Sequence, residues 1–346
     1  MTLDPGRLAI ATVPLGTSWL LGACMEARGK QDLWMKRKPE VLAALREQAI
    51  IQSAESSNRI EGVTVAPSRL KQVVLGASKP RDRSEEELAG YRRARDWIFR
   101  VKGPPAVTPD VIRKLHALAQ GGHSGDAGQW KRQDNEIVEI LPDGRRRIRF
   151  RPTPSSETPE AIARLCDVYR ALPAGERIPP LLTVATFVFD FLCIHPFRDG
   201  NGRVSRLVTT LLLKSHGFDV VRFVSLERLV EERKDEYYAV LATCSDGWHE
   251  SRNEIVPWWN FFLAILRSGH SEFERYVDSA SPRPAKSDLV RRTILGQVGQ
   301  FTLGDLAHQC PAASQQLIKK ILSRLKSEGK VRLSGKGRGA AWEVTG

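Results

Sequence analysis

The sequence contains few cysteines, and none of them has the spacing of a metal site or a thiol redox centre. Five occur in 346 residues, and they are Cys24, Cys166, Cys193, Cys244 and Cys310. Zinc sites and redox motifs use closely spaced pairs, so this scatter argues against both kinds of site. The seven histidines likewise share no metal-site spacing. We interpret the cysteines as reduced thiols of a cytoplasmic protein.

Long apolar runs and an N-terminal leader pattern are also missing. No uninterrupted apolar stretch is long enough to span a bilayer, which excludes a membrane-spanning class on sequence grounds. The segment Met1–Leu20 lacks a basic start followed by an apolar core, so we expect no secretory signal peptide. The sequence therefore predicts a cytoplasmic protein without a membrane partner.

Acidic residues are outnumbered by basic ones. There are 53 Lys and Arg against 40 Asp and Glu, which gives a formal net charge of +13. This excess favours nucleic acid, nucleotides or an acidic protein face as partners; the alternative is a basic protein that is simply rich in arginine. Because 41% of the residues are hydrophobic, the chain can form a sizeable core, and its length suggests two or three domains.

Most of the chain has the apolar spacing of helices, so we predict a mainly α fold. A break rich in Gly and Pro, Lys102–Pro109, separates an N-terminal helical segment, residues 1–104, from a second domain, residues 105–268. Helices are also expected over Leu226–Cys244 and Glu254–Leu266. One hairpin interrupts the pattern: Ile137–Phe150 has β-branched residues on both sides of a Pro-Asp-Gly turn.

The C-terminal part has a different organisation. Residues 269–286 include a stretch rich in Pro, Ser and Ala, and we predict a linker there. Three helical patterns and a hairpin follow over residues 287–346, which is the order of a winged helix-turn-helix. This domain has ten Lys or Arg against four acids. DNA binding is one interpretation of it, and dimerisation or docking of a target protein is the other.

The segment His195–Arg206 carries the most chemistry. It follows Leu181–Ile194, an almost entirely apolar stretch that we interpret as a buried helix ending at His195. The negative end of a helix favours a protonated imidazole, so we expect the pKa of His195 to be raised and the residue to serve as a general base. Asp190 is the only charge of that helix, and we expect it to pair with an arginine.

A turn and a new helix complete the segment. Gly200-Asn201-Gly202 can adopt positive φ and expose backbone N–H groups to an anion. Such groups at a helix N-terminus favour phosphate, and we expect the helix to begin near Arg203. Arg203 and Arg206 are three residues apart, so they can share one face above the turn. Asp199 can hold Mg²⁺ together with phosphate oxygens.

These residues resemble the signature HxFx[DE]GNGRxxR of the Fic family, whose members transfer AMP from ATP to a hydroxyl of a target protein. The resemblance covers most of the chain before the linker and implies a Fic-type helical core. It implies that His195 deprotonates the target hydroxyl, that Asp199 binds Mg²⁺, and that the turn forms an anion hole. It further implies that the two arginines bind the distal phosphates of ATP. This chain departs from the family at Ser205, where relatives usually have glycine.

A second segment, Ser57-Asn58-Arg59-Ile60-Glu61-Gly62, resembles the family's inhibitory motif [ST]xxxE[GN]. The resemblance implies that Glu61 pairs with Arg206 and keeps the γ-phosphate of ATP from seating productively. The physical basis is that a carboxylate and a phosphate compete for one guanidinium group. The alternative is an ordinary helix end, with Gly62 as the stop.

The hairpin occupies the position of the family's flap, which holds the target as an added strand; its candidate residues are Ile137 and Val138. The alternative is a hairpin without that role. Phe197 and Tyr237 complete the candidate nucleotide-binding residues. Tyr237 corresponds to an aromatic residue that relatives have at the adenosine pocket. Phe197 also has a simpler interpretation, as a core residue that fixes the loop.

The function that these patterns favour is a protein adenylyltransferase that uses ATP and Mg²⁺, modifies a Ser, Thr or Tyr hydroxyl of a target protein and is inhibited by Glu61. Two alternatives stay open. One is related chemistry: transfer of another nucleotidyl or phospho group, or removal of AMP. The other is a DNA-binding regulator that carries an idle Fic core. The sequence leaves the target, the nucleotide base and the formation of a homodimer undecided.

Overall fold

The structure is a computed structural model that describes residues 1–35, 39–101, 103, 106–121, 126–140, 143–172, 178–278, 286–335 and 340–345. It is mainly helical with a few short strands, which confirms the predicted class. The helices that it describes, α1 to α15, are Pro5–Ala9, Leu15–Met35, Pro39–Ile60, Pro67–Val74, Arg83–Arg100, Pro109–Gln120, Thr158–Ala171, Pro180–Ile194, Asn201–Ser215, Leu226–Glu232, Lys234–Ser245, Val256–Asp278, Lys286–Leu295, Leu303–Gln309 and Gln315–Ser327. The strands, β1 to β5, are Ile137–Ile140, Arg146–Phe150, Gln300–Phe301, Val331–Ser334 and Ala341–Val344. No helix within the described ranges is both long and apolar enough to cross a bilayer.

Helix α8 lies at the centre of the larger of two hydrophobic cores, with α7, α9 and α12 packed against it. Every residue from Leu181 to Ile194 is buried, as its apolar character on all sides predicts. Two tryptophans of α12 also bind it through polar atoms: the indole N–H of Trp258 donates to the Ala185 carbonyl (2.7 Å), and that of Trp259 donates to the Thr186 hydroxyl (2.9 Å). These contacts attach the first half of α8 to α12.

Asp190, the buried carboxylate of α8, does not pair with an arginine, so that expectation is wrong. It accepts hydrogen bonds from the backbone N–H groups of Thr2 (2.9 Å) and Leu3 (2.6 Å) and from the indole N–H of Trp248 (2.6 Å). Burial nevertheless raises the pKa of this carboxyl. Asp190 therefore ties the first residues of the chain to the central helix.

We expect Asp190→Ala to lower the free energy of unfolding by about 3 kcal/mol, because it leaves three buried donors without an acceptor. Asp190→Asn is the matched control: its amide oxygen still accepts hydrogen bonds, so the loss is smaller. Thermal and urea unfolding of the full chain measure both effects. Equal stability of Asp190→Ala and the parent protein would contradict this role.

Helix α3 brings the predicted inhibitory segment to the central helices. It packs on α5 and α10 and ends at Ile60, and Gly62 follows with φ +80°, a conformation that favours glycine. Arg59 fastens this end of α3 to α10 through both oxygens of Glu231, at 2.6 and 2.9 Å. Ser57 and Glu61 consequently lie beside α9.

Two boundaries differ from the prediction. The expected single helix Leu226–Cys244 is two helices, α10 and α11, separated at Arg233. Helix α12 runs on to Asp278, so residues 269–278, which we expected to belong to a linker, continue it. Its later residues Gly269, His270 and Phe273 are buried in the larger core, because the apolar face of the helix continues beyond Leu266.

The C-terminal part forms a second, smaller core of its own. The predicted three helices and hairpin are present as α13 to α15 with β4 and β5, and the sequence prediction missed the short strand β3. The sheet has the order β3-β5-β4, with Gln300 opposite Glu343 and Leu333 opposite Trp342. The turn of this hairpin, residues 336–339, lies outside the described residues.

Candidate active site

His195 is placed by the end of α8. Its backbone has φ 51° and ψ 62°, a left-handed conformation that ends the helix, and its N–H donates to the Phe191 carbonyl (3.0 Å). The ring atom Nδ1 lies 3.2 Å from the Leu192 carbonyl. Because a carbonyl only accepts, Nδ1 carries the proton of the neutral ring and Nε2 is left as the basic nitrogen. This geometry suits a general base.

The expected rise in the pKa of His195 is wrong. Desolvation of the imidazole, together with the positive charges of Lys131 and Arg149, lowers its pKa to about 4, against the raising effects of the Leu192 carbonyl and Glu61. Burial and two cations outweigh the end of the helix, whose effect extends over only one turn. His195 is therefore neutral at physiological pH, the form that can accept a proton.

The loop after His195 is anchored from below by Phe197, which is fully buried. Its ring stacks on His116 at 3.8 Å between centroids. Its backbone N–H donates to Asn201 Oδ1 (2.9 Å), and Asn201 Nδ2 donates back to its carbonyl (2.7 Å). The side chains of Phe197 and Asn201 thus shape the turn, so a contact of Asn201 with a nucleotide would be made by its backbone N–H, and nucleotide binding by these two residues stays a prediction.

Two residues that sequence reasoning overlooked hold this loop. His116 Nδ1 accepts from the Gly128 N–H (2.8 Å), so its Nε2 donates to the Asp199 carbonyl (3.1 Å). Burial lowers the pKa of His116 to about 4, which keeps the ring neutral for this role. Lys131 Nζ donates to the Ile194 carbonyl (3.2 Å). Neither residue lies in a recognisable motif, so only the tertiary structure identifies them.

The turn is the N-terminus of α9. Gly200 has φ +79°, and the helix begins at Asn201, two residues earlier than we expected. The first helical hydrogen bond runs from the Val204 N–H to the Gly200 carbonyl (2.9 Å), so the N–H groups of residues 201–203 have no acceptor within the helix. Such groups, with the positive end of the helix dipole, form a site for an anion.

The two arginines of α9 point to different neighbours and do not share one face. Arg203 is 2% exposed and forms an ion pair with Glu87 of α5 at 2.7 Å. Its Nη2 donates to the amide oxygen of Gln120 in α6 (3.3 Å). A guanidinium group already neutralised and buried stabilises the turn from one side. Arg203 therefore differs from the phosphate-facing arginine that we expected.

Arg206 faces α3 instead. Its Nε donates to the Ser57 hydroxyl (2.8 Å), and Nη2 donates to the Ser57 carbonyl (2.8 Å) and to Glu61 Oε1 (2.7 Å). Burial lowers the pKa of Arg206, but the raising effects of Glu61, Tyr237 and Tyr91 together outweigh it, so the net shift is upward. The pair that the resemblance implied between Glu61 and Arg206 is present.

Glu61 also lies against the turn at the N-terminus of α9. A β-carbon added to Gly202 would clash with Glu61 Oε1, so the carboxylate occupies the space directly above this glycine. Its side chain is 30% exposed, whereas that of Arg206 is only 7% exposed. A negative group thus already occupies the position that the helix N-terminus and Arg206 prepare for an anion. Ser205, where relatives have glycine, fits the helix by donating to the Gly202 carbonyl (2.7 Å).

Asp199 lies at the edge of the turn with its side chain 52% exposed. One carboxylate oxygen accepts from the Gly200 N–H (2.6 Å), and the other pairs with Arg83 (3.1 Å). Among the described residues there is no cluster of three His, Cys, Asp or Glu that could hold a metal. One accessible carboxylate suits Mg²⁺ when phosphate oxygens supply further ligands, which is the usual arrangement for this ion.

Tyr237 packs beside Arg206 in the core, near Trp258 and Phe261. These residues line a cavity of about 50 Å³ together with Ser205. Tyr238 is partly exposed, and its hydroxyl donates to the Ile60 carbonyl at 3.4 Å. Tyr237 is therefore close to the anion site, although its ring belongs largely to the core.

The hairpin lies next to these residues. Val138 pairs with Ile148 and Ile137 with Phe150, with an irregularity between the two pairs. Arg149 of β2 donates to the Tyr238 carbonyl (3.2 Å), which connects the hairpin to α11. β1 and β2 form a two-stranded sheet, so the outer edge of each has backbone groups without a partner strand among the described residues. An extended segment could add to such an edge.

Comparison with known proteins agrees with this arrangement. A model of the Fic/DOC family matches residues 106–213. A Fido domain-containing protein of Dictyostelium discoideum is 30% identical over 126 residues, which cover 35% of this chain and 81% of that protein. The protein adenylyltransferase Fic of Nematostella vectensis is 24% identical over 253 residues, 71% of this chain but only about half (53%) of the length of that protein.

A solved structure is similar over nearly the whole chain. The crystal structure of a Fic family protein from Desulfovibrio desulfuricans G20 superposes with a TM-score of 0.64 at 19% identity, and the match covers 97% of this chain and 98% of that one. At this identity the likeness concerns the fold. It extends beyond the family-matched residues to the N-terminal helices and the C-terminal part.

Proposed function

Since the chain belongs to the Fic/DOC family, we propose that it is a protein adenylyltransferase, which transfers AMP from ATP to a Ser, Thr or Tyr hydroxyl of a target protein. One observation carries the proposal. An imidazole with a free Nε2 lies on the same short loop as a helix N-terminus whose anion position is prepared by Arg206. Phosphoryl chemistry on a hydroxyl requires a base and an anion site in this proximity.

In the proposed reaction these residues have separate roles. The phosphates of ATP lie on the N–H groups of residues 201–203, with Arg206 binding the distal end. His195 Nε2 takes the proton of the target hydroxyl. The hydroxyl oxygen attacks the α-phosphorus, and the bond to pyrophosphate breaks as the new one forms. Mg²⁺ held at Asp199 would neutralise charge on the phosphates.

The same proposal includes inhibition by Glu61. Its carboxylate is already hydrogen-bonded to Arg206 and lies above Gly202, so the γ-phosphate of ATP would have to displace it. Two negative groups cannot share one guanidinium fork and one helix N-terminus without strong repulsion. The ion pair of Arg59 with Glu231 holds the helix end that presents Glu61.

The central test is incubation of Glu61→Gly protein with each labelled nucleoside triphosphate and a cell extract. Label from the α-phosphate on protein, with the mass of AMP added to a hydroxyl residue, supports adenylyl transfer. A different added mass indicates the related chemistry, transfer of another nucleotidyl or phospho group, and loss of AMP from a premodified protein indicates the reverse reaction. If no protein undergoes any covalent change, the proposal is overturned.

The hairpin is the proposed holder of the target. Its unpaired edge, near Ile137 and Val138, would take an extended target segment as an additional strand, so that register and not sequence positions the hydroxyl. The arginines of β2 and its turn, such as Arg146, favour an acidic segment. Retention of this protein by peptides with acidic rather than basic flanks supports this assignment.

A second function is proposed for residues 287–346, as a winged helix-turn-helix that binds DNA. The supporting observation is that the first turns of α15 present Gln315, Gln316 and Lys319 to solvent on a strongly basic domain. Glutamine can read adenine, and lysine can contact phosphate. The alternatives are dimerisation and docking of a target protein.

Salt titration of duplex binding tests this second function. We expect Lys319→Ala to reduce the slope of log affinity against log salt by about 1, because one phosphate contact is lost. Lys30→Ala, on α2 and paired with Glu26, is the matched control and leaves the slope unchanged. Absence of duplex binding by the full chain would exclude the DNA-binding assignment and favour the alternatives.

A further inference from the structure

Lys131 is a buried cation in the segment that precedes the hairpin, and it belongs to none of the motifs above. Its side chain is buried, with 5% of its surface exposed. Nζ donates to the Asn135 side-chain oxygen (2.8 Å) and to the Ile194 carbonyl (3.2 Å), and its backbone N–H donates to the Pro196 carbonyl (2.9 Å). Two of these three acceptors are the residues on either side of His195.

This buried position is energetically unfavourable for a charged side chain. Burial lowers the pKa of Lys131 to about 8, and nearby Asp134 opposes this effect. The side chain is therefore still charged at neutral pH. A lysine taken from water loses hydration that only partners of good geometry replace. Here the partners are the carbonyl of Ile194 at the end of α8 and the amide oxygen of Asn135, which together fix the ammonium group beside the catalytic loop.

We propose that Lys131 is a positioning residue for the reaction: its ammonium group binds the backbone at the end of α8, next to His195, and as a fixed positive charge it disfavours protonation of the imidazole. The two effects have one geometric origin, since the same ammonium group caps the negative end of α8 and acts on the ring that follows it. The role of His195 rests on the proposed function; the charge effect on its ring does not.

Three other groups also affect the pKa of His195. Arg149 of β2 also disfavours a charged ring, whereas Glu61 and the Leu192 carbonyl favour it. Among these, Lys131 alone is bonded to the backbone next to His195. Loss of its charge removes one cation from this set without removing the burial of the ring. The pKa of His195 should consequently rise by about one unit.

The experiment is a pH titration of the full chain with ¹³C-labelled histidine, in which the signal of His195 is assigned by its absence from His195→Ala. In Lys131→Met, His195 should titrate at a pH about one unit higher than in the parent. Lys131→Arg retains the charge, so in that variant His195 should titrate at the same pH as in the parent. Asn135→Ala removes one acceptor and leaves the charge, so it should also leave the titration in place. Thermal unfolding shows whether each variant is folded, and Lys131→Gln replaces Lys131→Met if the latter is not.

The labelling assay measures the effect of Lys131 on the position of the His195 ring separately from its effect on the charge of that ring. At neutral pH His195 is uncharged in every variant, so a rate loss there measures misplacement of the ring; we expect about tenfold for Lys131→Met added to Glu61→Gly. Lys131→Arg should retain most of the rate. The proposal is overturned if His195 titrates alike in Lys131→Met and the parent, or if Lys131→Arg shifts it as much. Absence of any labelling by Glu61→Gly would instead reject the proposed function, and the titration would still decide the charge effect.

Discussion

His195→Ala, made in the Glu61→Gly protein, should lower the rate of target labelling by about a hundredfold to ten thousandfold. The reason is that the described loop offers one basic nitrogen at this place, Nε2 of a ring whose Nδ1 is oriented by the Leu192 carbonyl. Without it the hydroxyl must lose its proton to water while it attacks. Incorporation of label from the α-phosphate of ATP into target protein measures the rate.

His195→Asn is the control for this prediction. Its side-chain amide can still donate toward the Leu192 carbonyl but cannot accept a proton as a base, so it should lose activity to the same extent. Binding of ATP, measured by calorimetry, should survive in both variants because the anion site lies on residues 201–203 and Arg206. Labelling that continues at the parent rate would reject His195 as the base.

The second large effect concerns Glu61. Replacement by glycine should raise labelling by about tenfold to a hundredfold, because a charge-assisted hydrogen bond of about 1.5–3 kcal/mol no longer competes with the phosphate for Arg206. The 2.7 Å contact and the position of the carboxylate above Gly202 are the structural basis. The affinity for ATP and the labelling rate are both measured, since the displaced group is predicted to affect how the γ-phosphate seats.

Two further variants make this test specific. Glu61→Gln keeps the size of the side chain without its charge, and it should give an intermediate increase. Glu55→Gln removes a carboxylate from the same helix that pairs with Arg59 and does not contact Arg206, so labelling should stay at the parent level. Equal labelling by the parent and Glu61→Gly would reject inhibition by Glu61.

Much of the architecture could be predicted locally. The apolar stretch Leu181–Ile194 predicted the helix observed as α8, which begins one residue earlier, and the Pro-Asp-Gly turn predicted the hairpin of β1 and β2. These predictions succeeded because helical period and turn chemistry depend on neighbours in sequence. Strand β3 was missed because two residues give no periodicity, and it exists through its pairing with β5.

For the candidate site, the sequence indicated which residues belong to it better than it indicated how those residues are arranged. The pairing of Glu61 with Arg206 came from a resemblance, since nothing in the spacing of two residues 145 positions apart predicts contact. The orientation of Arg203 was predicted wrongly because its partner, Glu87, belongs to another helix. Asp190 was assigned an arginine for the same reason: backbone N–H groups from the start of the chain supply its hydrogen bonds instead.

The amino-acid sequence alone determined a mainly helical chain, a loop that places His195 next to a helix N-terminus, and the glycines that allow this turn. Only the tertiary structure decided the charge state of His195, the separate directions of the two arginines and the contact between Lys131 and the end of α8. The physical reason is that the first set depends on backbone preferences and apolar spacing within a few residues. The second depends on desolvation and on charges that distant segments bring within a few ångströms, and these are properties of packing.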